Sequence, residues 1–178
     1  MRMRKQGIII ESERIKEAKA KYNAYDAQIW IKEYFDKFSG GYNVYHKNHK
    51  FSPTGGGGAA EKEVGKMLAK YNGKQVEFLP EGNKKGPDMK FDEQTWDIKY
   101  IDYANENTIR KYLLDAQKAD NAIFYWKTNE KLFVLKNASK REIGRLTKGQ
   151  INSLPNIYYM DKNGLLKLLW KNKKGLNK

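Results

Sequence analysis

GPDMKFDEQTWDIK, residues 86–99, is the stretch on which the reading of the whole chain turns. Two short extended runs, 88–91 and 95–101, flank a polar turn made of Asp92, Glu93 and Gln94. In the second run apolar and charged residues alternate. That period places Trp96, Ile98 and Tyr100 on one face of a strand and Asp97 and Lys99 on the other. A hairpin carries Asp88, next to Pro87, toward the second face, so two carboxylates and an ammonium meet at a strand edge. Carboxylate oxygens are the ligands that hard cations such as Mg²⁺ take. A cation held there polarises a phosphate and acidifies its own water. Lys99 could orient that water or steady the charge that builds on the phosphate. A solvated hairpin with alternating surface charges satisfies the same pattern, so the context has to decide.

Upstream, residues 59–72 read as a helix with Ala60, Val64, Met67, Leu68 and Tyr71 as its buried stripe. Glu61 lies at the edge of that stripe, and Glu63 is the alternative acid. Asn72-Gly73 ends the helix and 75–79 reads as a strand. Downstream, Asn107 or Thr108 caps a helix to about Ala119, with Ile109, Leu113 and Ala116 inward. Residues 121–126 form a strongly apolar strand, and 132–135 read as its return across a turn at 128–130. A short basic helix over 139–150 with Ser139 as cap, then strands at 156–160 and 165–170, complete this half.

The N-terminal part reads differently. Residues 11–38 look helical, with Ala27, Ile31, Tyr34, Phe35 and Phe38 as a stripe ended by Gly40-Gly41. Residues 42–58 read as an extended basic loop. Pro53 and the glycine run 55–58 argue against the helix that would put His46 and His49 on one metal. The glycines lack the Gly-Lys-Ser/Thr ending of a phosphate loop, and a flexible joint is the simpler role.

The 178 residues suit one domain with a modest extension, and 12 Tyr, 7 Phe and 4 Trp supply a core. There is no cysteine, which excludes disulfides, thiolate zinc sites and a thiol nucleophile. No apolar run is long enough to cross a membrane. The formal net charge of +14 favours polyanions, nucleic acid first among them.

The order helix, strand, strand, strand, helix, strand carries Glu61 on the first helix, Pro87-Asp88 before the second strand and Asp97-Ile98-Lys99 on the third. This resembles the PD-(D/E)xK nuclease superfamily. GGGGAAEKEVGKMLA, FLPE, GPDM, TWDIKY and NTIRKYLLDAQKADNAIFYW are similar to the C-terminal toxin nuclease domains of contact-dependent growth inhibition systems and to relatives in phages and mobile elements. The similarity covers residues 42–136. It implies an α/β, restriction-endonuclease-like fold: a mixed central sheet flanked by helices. Residues 42–178 would be the nuclease-like domain, with its core at 59–136, and residues 1–41 a helical extension.

The resemblance further implies a metal-dependent endonuclease, a toxin-type RNase acting on tRNA ahead of a DNase. Asp88 and Asp97 would ligate Mg²⁺ or Mn²⁺, ahead of Zn²⁺. Glu61 would reach the metal directly or through water, and the Ile98 carbonyl would complete the shell. Lys99 would place the attacking water, with Glu81 as an auxiliary ligand. Lys84, Lys85, Arg110, Lys111, Gln117 and Lys118 would contact the nucleic-acid backbone, and Tyr100, Tyr103 and Tyr112 could stack on bases. An acidic immunity or inhibitor protein is the expected partner. Residues 1–41 would attach the chain to a phage or secretion assembly, and action would be cytoplasmic after delivery by a secreted or virion-borne carrier. The competing expectation is a non-catalytic nucleic-acid-binding or phage structural protein on the same fold.

Overall fold

A computed structural model of the chain describes residues 2–53, 58–82, 86–126 and 131–172, with the backbone alone for 2–12. Eight strands lie side by side in sequence order in one sheet. They are β1 Trp30–Phe35, β2 Tyr42–His46, β3 Gln75–Phe78, β4 Met89–Phe91, β5 Gln94–Ile101, β6 Asn121–Trp126, β7 Asn156–Asp161 and β8 Leu166–Trp170. The pairs β2/β3, β5/β6 and β6/β7 are parallel and the others antiparallel. Parallel neighbours need a crossover, and helices supply it. The helices are α1 Arg2–Ala24, α2 Ala59–Asn72, α3 Glu106–Asp115, α4 Leu132–Gly144 and α5 Lys148–Ser153. Helix α2 links β2 to β3, α3 links β5 to β6, and α4 with α5 links β6 to β7. The fold is thus a mixed α/β sheet flanked by helices. Among the described residues no helix is long and apolar enough to cross a membrane.

Two cores form because each central strand is buried on both faces. In β6 every residue is buried. Ile123 and Tyr125 join Ala60, Val64 and Leu68 of α2 on one side, while Phe124 and Trp126 join Ile109 and Leu113 of α3 and Leu135 of α4 on the other. Period 2 in the strand meets period 3.6 in the helices at both interfaces. On α2 the stripe runs through Ala60, Val64 and Leu68 as expected, but Tyr71 is exposed and Gly65 and Ala69 are buried instead.

Several local expectations are corrected. The helix expected over residues 11–38 stops at Ala24, and Trp30–Phe35 is a strand paired antiparallel with β2. Ile31, Tyr34 and Phe35 fit a helical stripe, yet the aromatic and β-branched run WIKEYF pairs better as a strand. Asp26 marks the break, accepting the Gln28 N–H at 2.8 Å. Gly40, with φ 73°, therefore serves the β1–β2 turn instead of a helix end. Residues 42–46, expected as loop, are β2. The helical part of the extension 1–41 packs on the sheet: Tyr22 lies 5.5 Å from Phe35 and 5.4 Å from Tyr42 between ring centres.

Residues 132–135, expected as a strand, open helix α4. A four-residue apolar run does not discriminate the two states, and Leu135, Ala138, Glu142 and Ile143 behind it are buried at helical spacing. Ser139 is buried inside that helix and caps nothing. Thr147 caps α5, its side chain accepting from Gln150 N. Asn105, two residues earlier than expected, caps α3. The expected turn at 128–130 and most of the glycine run 55–58 lie outside the described residues, as does 173–178 of the basic tail.

Candidate active site

The site begins where one strand outruns its neighbour. β4 ends at Phe91 and starts at Met89, so β5 is paired on that side only over 94–96. Beyond Trp96, β5 pairs with β6 alone. The Ile98 N–H then has no strand partner there, and a buried orphan donor is costly. Asp88 takes it: the Ile98 N–H donates to Asp88 Oδ2 at 2.6 Å, while the Asp88 N–H donates to the Trp96 carbonyl at 2.9 Å. The Pro-Asp pair thus stands at the fork of β4 and β5. A cleft of about 570 Å³ opens at the fork, with Glu61, Asp88, Ile98, Lys99, Lys111 and Tyr112 in its wall.

Asp97, on the face opposite Trp96 and Ile98, is 0% exposed. A carboxylate without solvent needs positive partners, and it has two. Lys99 Nζ lies 2.7 Å from Oδ2, and Lys118 Nζ lies 2.8 Å from Oδ1. Lys118 comes from the 3₁₀ turn Ala116–Lys118 that ends α3, and it also lies 3.7 Å from Asp88 Oδ1. Burial, with the nearby Asp97 charge, pushes the Asp88 carboxyl up to about 7, against the opposing pull of Lys118. Burial pulls the Lys118 ammonium down, but Asp88 and Asp97 outweigh it and hold it above its ordinary range. Lys99 Nζ also lies 5.8 Å from the centre of the Tyr112 ring.

Glu61 enters from the first turn of α2 and is 5% exposed. Its Oε1 accepts the Ser52 N–H at 2.9 Å, and its Oε2 lies 3.2 Å from His49 Nε2. The other ring nitrogen, Nδ1, is 2.7 Å from the Leu79 carbonyl oxygen. Burial pulls the imidazole down, yet Glu61 and the Leu79 carbonyl together leave it above its ordinary value.

Of the residues singled out from sequence, Glu61, Asp88, Ile98 and Lys99 line one cleft, and Asp97 lies behind Lys99. Glu81 and Lys111 also line it, and Glu81 pairs with Lys50 at 3.8 Å. Lys118, expected as a backbone contact, is tied to Asp97. Arg110 and Gln117 are exposed, and Gln117 donates to the Gln150 carbonyl of α5 at 3.4 Å. Lys84 and Lys85 lie outside the described residues. Glu63, the alternative acid, faces the Tyr125 hydroxyl. The two histidines part company: His46 packs on Trp30, whereas His49 belongs to the site. Sequence reading missed His49 and the role of Lys118, because neither spacing carries a signal for contacts made 12 and 21 residues away.

The donors suit a hard cation in kind, since Asp88 and Asp97 offer carboxylate oxygens, although the Lys99 and Lys118 ammonium groups already sit on Asp97. Among the described residues, though, no three His, Asp or Glu side chains gather as a ligand set. Asp88 lines the cleft, whereas both Asp97 oxygens are held by Lys99 and Lys118, and both Glu61 oxygens are engaged by Ser52 and His49. Comparison with protein-family models, with curated proteins and with solved structures gives no match.

Proposed function

We propose that this protein is a metal-dependent nuclease of the PD-(D/E)xK kind, on a restriction-endonuclease-like fold, hydrolysing phosphodiesters in nucleic acid. The observation that carries the reading is the fork itself: Asp88, Ile98, Lys99 and Glu61 in the wall of one cleft, with Asp97 buried behind Lys99. The placement of α2 before β3 and of α3 between β5 and β6 supports the fold assignment. The net charge of +14 supports a polyanionic substrate, with tRNA-like RNA ahead of DNA.

Asp88 and Asp97, with the Ile98 carbonyl, would hold Mg²⁺ or Mn²⁺, and Glu61 would reach it through water. The bound ion would supply polarisation of the phosphate and a more acidic water. The chain's own residues do the rest. Lys99, at the cleft wall, hydrogen-bonds a water or a phosphate oxygen and offsets charge developing there. Lys118, 2.8 Å from Asp97 Oδ1, holds that side chain in place. Lys50 and Lys111 at the cleft hold the phosphate backbone by charge, without reading sequence. An acidic inhibitor protein and a carrier attached through residues 1–41 follow from the same reading, as does action in the cytoplasm.

The test is incubation of the full chain with mixed tRNA and with plasmid, in Mg²⁺, in Mn²⁺ or in EDTA. Cleavage that needs the metal and disappears in Asp97→Ala and Lys99→Ala is expected. A second reading, binding without cleavage, draws on the two ammonium groups that already neutralise Asp97. Salt-sensitive binding with no cut in any divalent metal would establish it instead.

A further inference from the structure

We propose that His49 is a positioning residue of the cleft: its imidazole, together with the Ser52 amide, fixes the Glu61 carboxylate with one edge left toward the cleft. The inference rests on the nuclease reading and adds to it a residue that none of the superfamily motifs contains.

His49 has 3% of its side chain exposed and Glu61 has 7%. Burying an imidazole is unfavourable unless its nitrogens are engaged. Both are. The Leu79 carbonyl at 2.7 Å can only accept, so Nδ1 must be the donor to it. That fixes the ring, and because the carboxylate also only accepts, Nε2, 3.2 Å from Glu61 Oε2, donates to it, so both ring nitrogens are donors in the clamp. The rings of Phe51 and Phe78, centred 4.5 and 5.2 Å from the imidazole, close the remaining sides. The ring therefore cannot swing without losing two polar contacts and two aromatic ones. The Ser52 N–H at 2.9 Å holds the second oxygen. Each Glu61 oxygen has two acceptor sites, so one on each remains for a water in the cleft. The clamp joins three separate segments: the loop after β2, the first turn of α2 and the end of β3. A carboxylate on a helix start could otherwise rotate to solvent. Holding a reacting group's neighbour in one orientation is how outer partners act on a site.

The experiment compares wild type, His49→Ala, His49→Gln, Glu61→Gln and the double variant His49→Ala/Glu61→Gln. Rates are read on tRNA and plasmid in Mg²⁺, and Mn²⁺ affinity is read by calorimetry. We expect His49→Ala to lower kcat about 10- to 100-fold, with KM for nucleic acid unchanged and Mn²⁺ bound more weakly. The double variant should be no slower than Glu61→Gln alone, because His49 acts only through Glu61. Added imidazole should restore part of the His49→Ala rate by filling the space between Phe51 and Phe78. His49→Gln, folded to the same melting temperature as wild type, guards against reading simple unfolding as a functional loss. Full kcat and Mn²⁺ affinity in folded His49→Ala or His49→Gln, or rate losses that multiply in the double variant, would overturn the inference while leaving the nuclease standing. A wild type that cuts nothing and binds no Mn²⁺ would overturn both.

Discussion

Asp36 shows how a single buried carboxylate in this chain is held by donors instead of by solvent. It is 6% exposed. Tyr34 donates its hydroxyl to Oδ2 at 2.8 Å, and the Phe38 and Ser39 N–H groups donate to Oδ1 at 2.8 and 2.9 Å. The Ser39 amide first, with Tyr34 and Phe38, holds Asp36 below the ordinary carboxylate range despite its burial. A lowered folded-state value means stability present above the unfolded-chain value and lost as pH falls through the folded one. Asp36→Asn should therefore cost about 1–2 kcal/mol near neutral pH. Urea unfolding should show the gap between variant and wild type closing once the pH drops below the carboxylate range. The Asp36 carboxylate closes the β1–β2 turn and is not among the residues lining the cleft, so the proposed nucleic-acid binding should not change with it. The same residue was invisible as a turn-former in a stretch read as helix, since its partners are set by the chain reversal at Gly40.

At the scale of elements, two joints are strained or tight enough to test. The β4–β5 hairpin turns on Asp92 and Glu93, both left-handed at φ 52° and 61°. Two-residue turns of this hand favour Asn-Gly or Asp-Gly, and a side chain there costs conformational energy. Glu93→Gly should raise stability by about 0.5–1 kcal/mol, read as a higher melting temperature. Asp92 is best left alone because it pairs with Lys74 at 2.6 Å. The second joint is α2 on β3. A Cβ at Gly65 would lie 2.6 Å from the Phe78 ring, which is fully buried. Alanine is favoured over glycine in a helix by about 1 kcal/mol, but overpacking a core costs about 1–3 kcal/mol. Gly65→Ala should therefore lose stability in urea titration. These joints bear on the site, since α2 carries Glu61 and the hairpin carries Asp88 and Asp97.

For the whole molecule the decisive property is charge. With +14 net, association with nucleic acid should weaken steeply with salt, log K falling by about 0.7–0.9 per neutralised phosphate for each unit of log salt. Lys50 and Lys111 both line the cleft. Replacing either by Gln should reduce the slope by roughly one such unit, measured by fluorescence anisotropy from 50 to 300 mM salt, on the order of the range where counterion release is read. Arg110 is exposed outside the cleft wall, and Arg110→Gln should change the slope less. An unchanged slope in both lysine variants would remove the cleft from the binding surface.

What the order of residues alone determined was local. The alternation at 95–101 placed Asp97 and Lys99 on one face, and the strongly apolar run at 121–126 identified a buried strand. The spacing of Ile109, Leu113 and Ala116 gave the inner line of α3 and the 3₁₀ turn that follows it, all fully buried. These follow from period and from the cost of exposing apolar surface, which act over a few residues. Where a run fitted both periods, as at 30–35 and 132–135, neighbours in space chose between them: pairing with β2 made one a strand, and packing behind Leu135 made the other a helix. Only the tertiary structure brought Lys118 to Asp97 and His49 to Glu61. Those contacts depend on how the crossovers and the sheet register fold distant segments together, and a carboxylate buried by that register takes whichever donors the folded chain puts within reach.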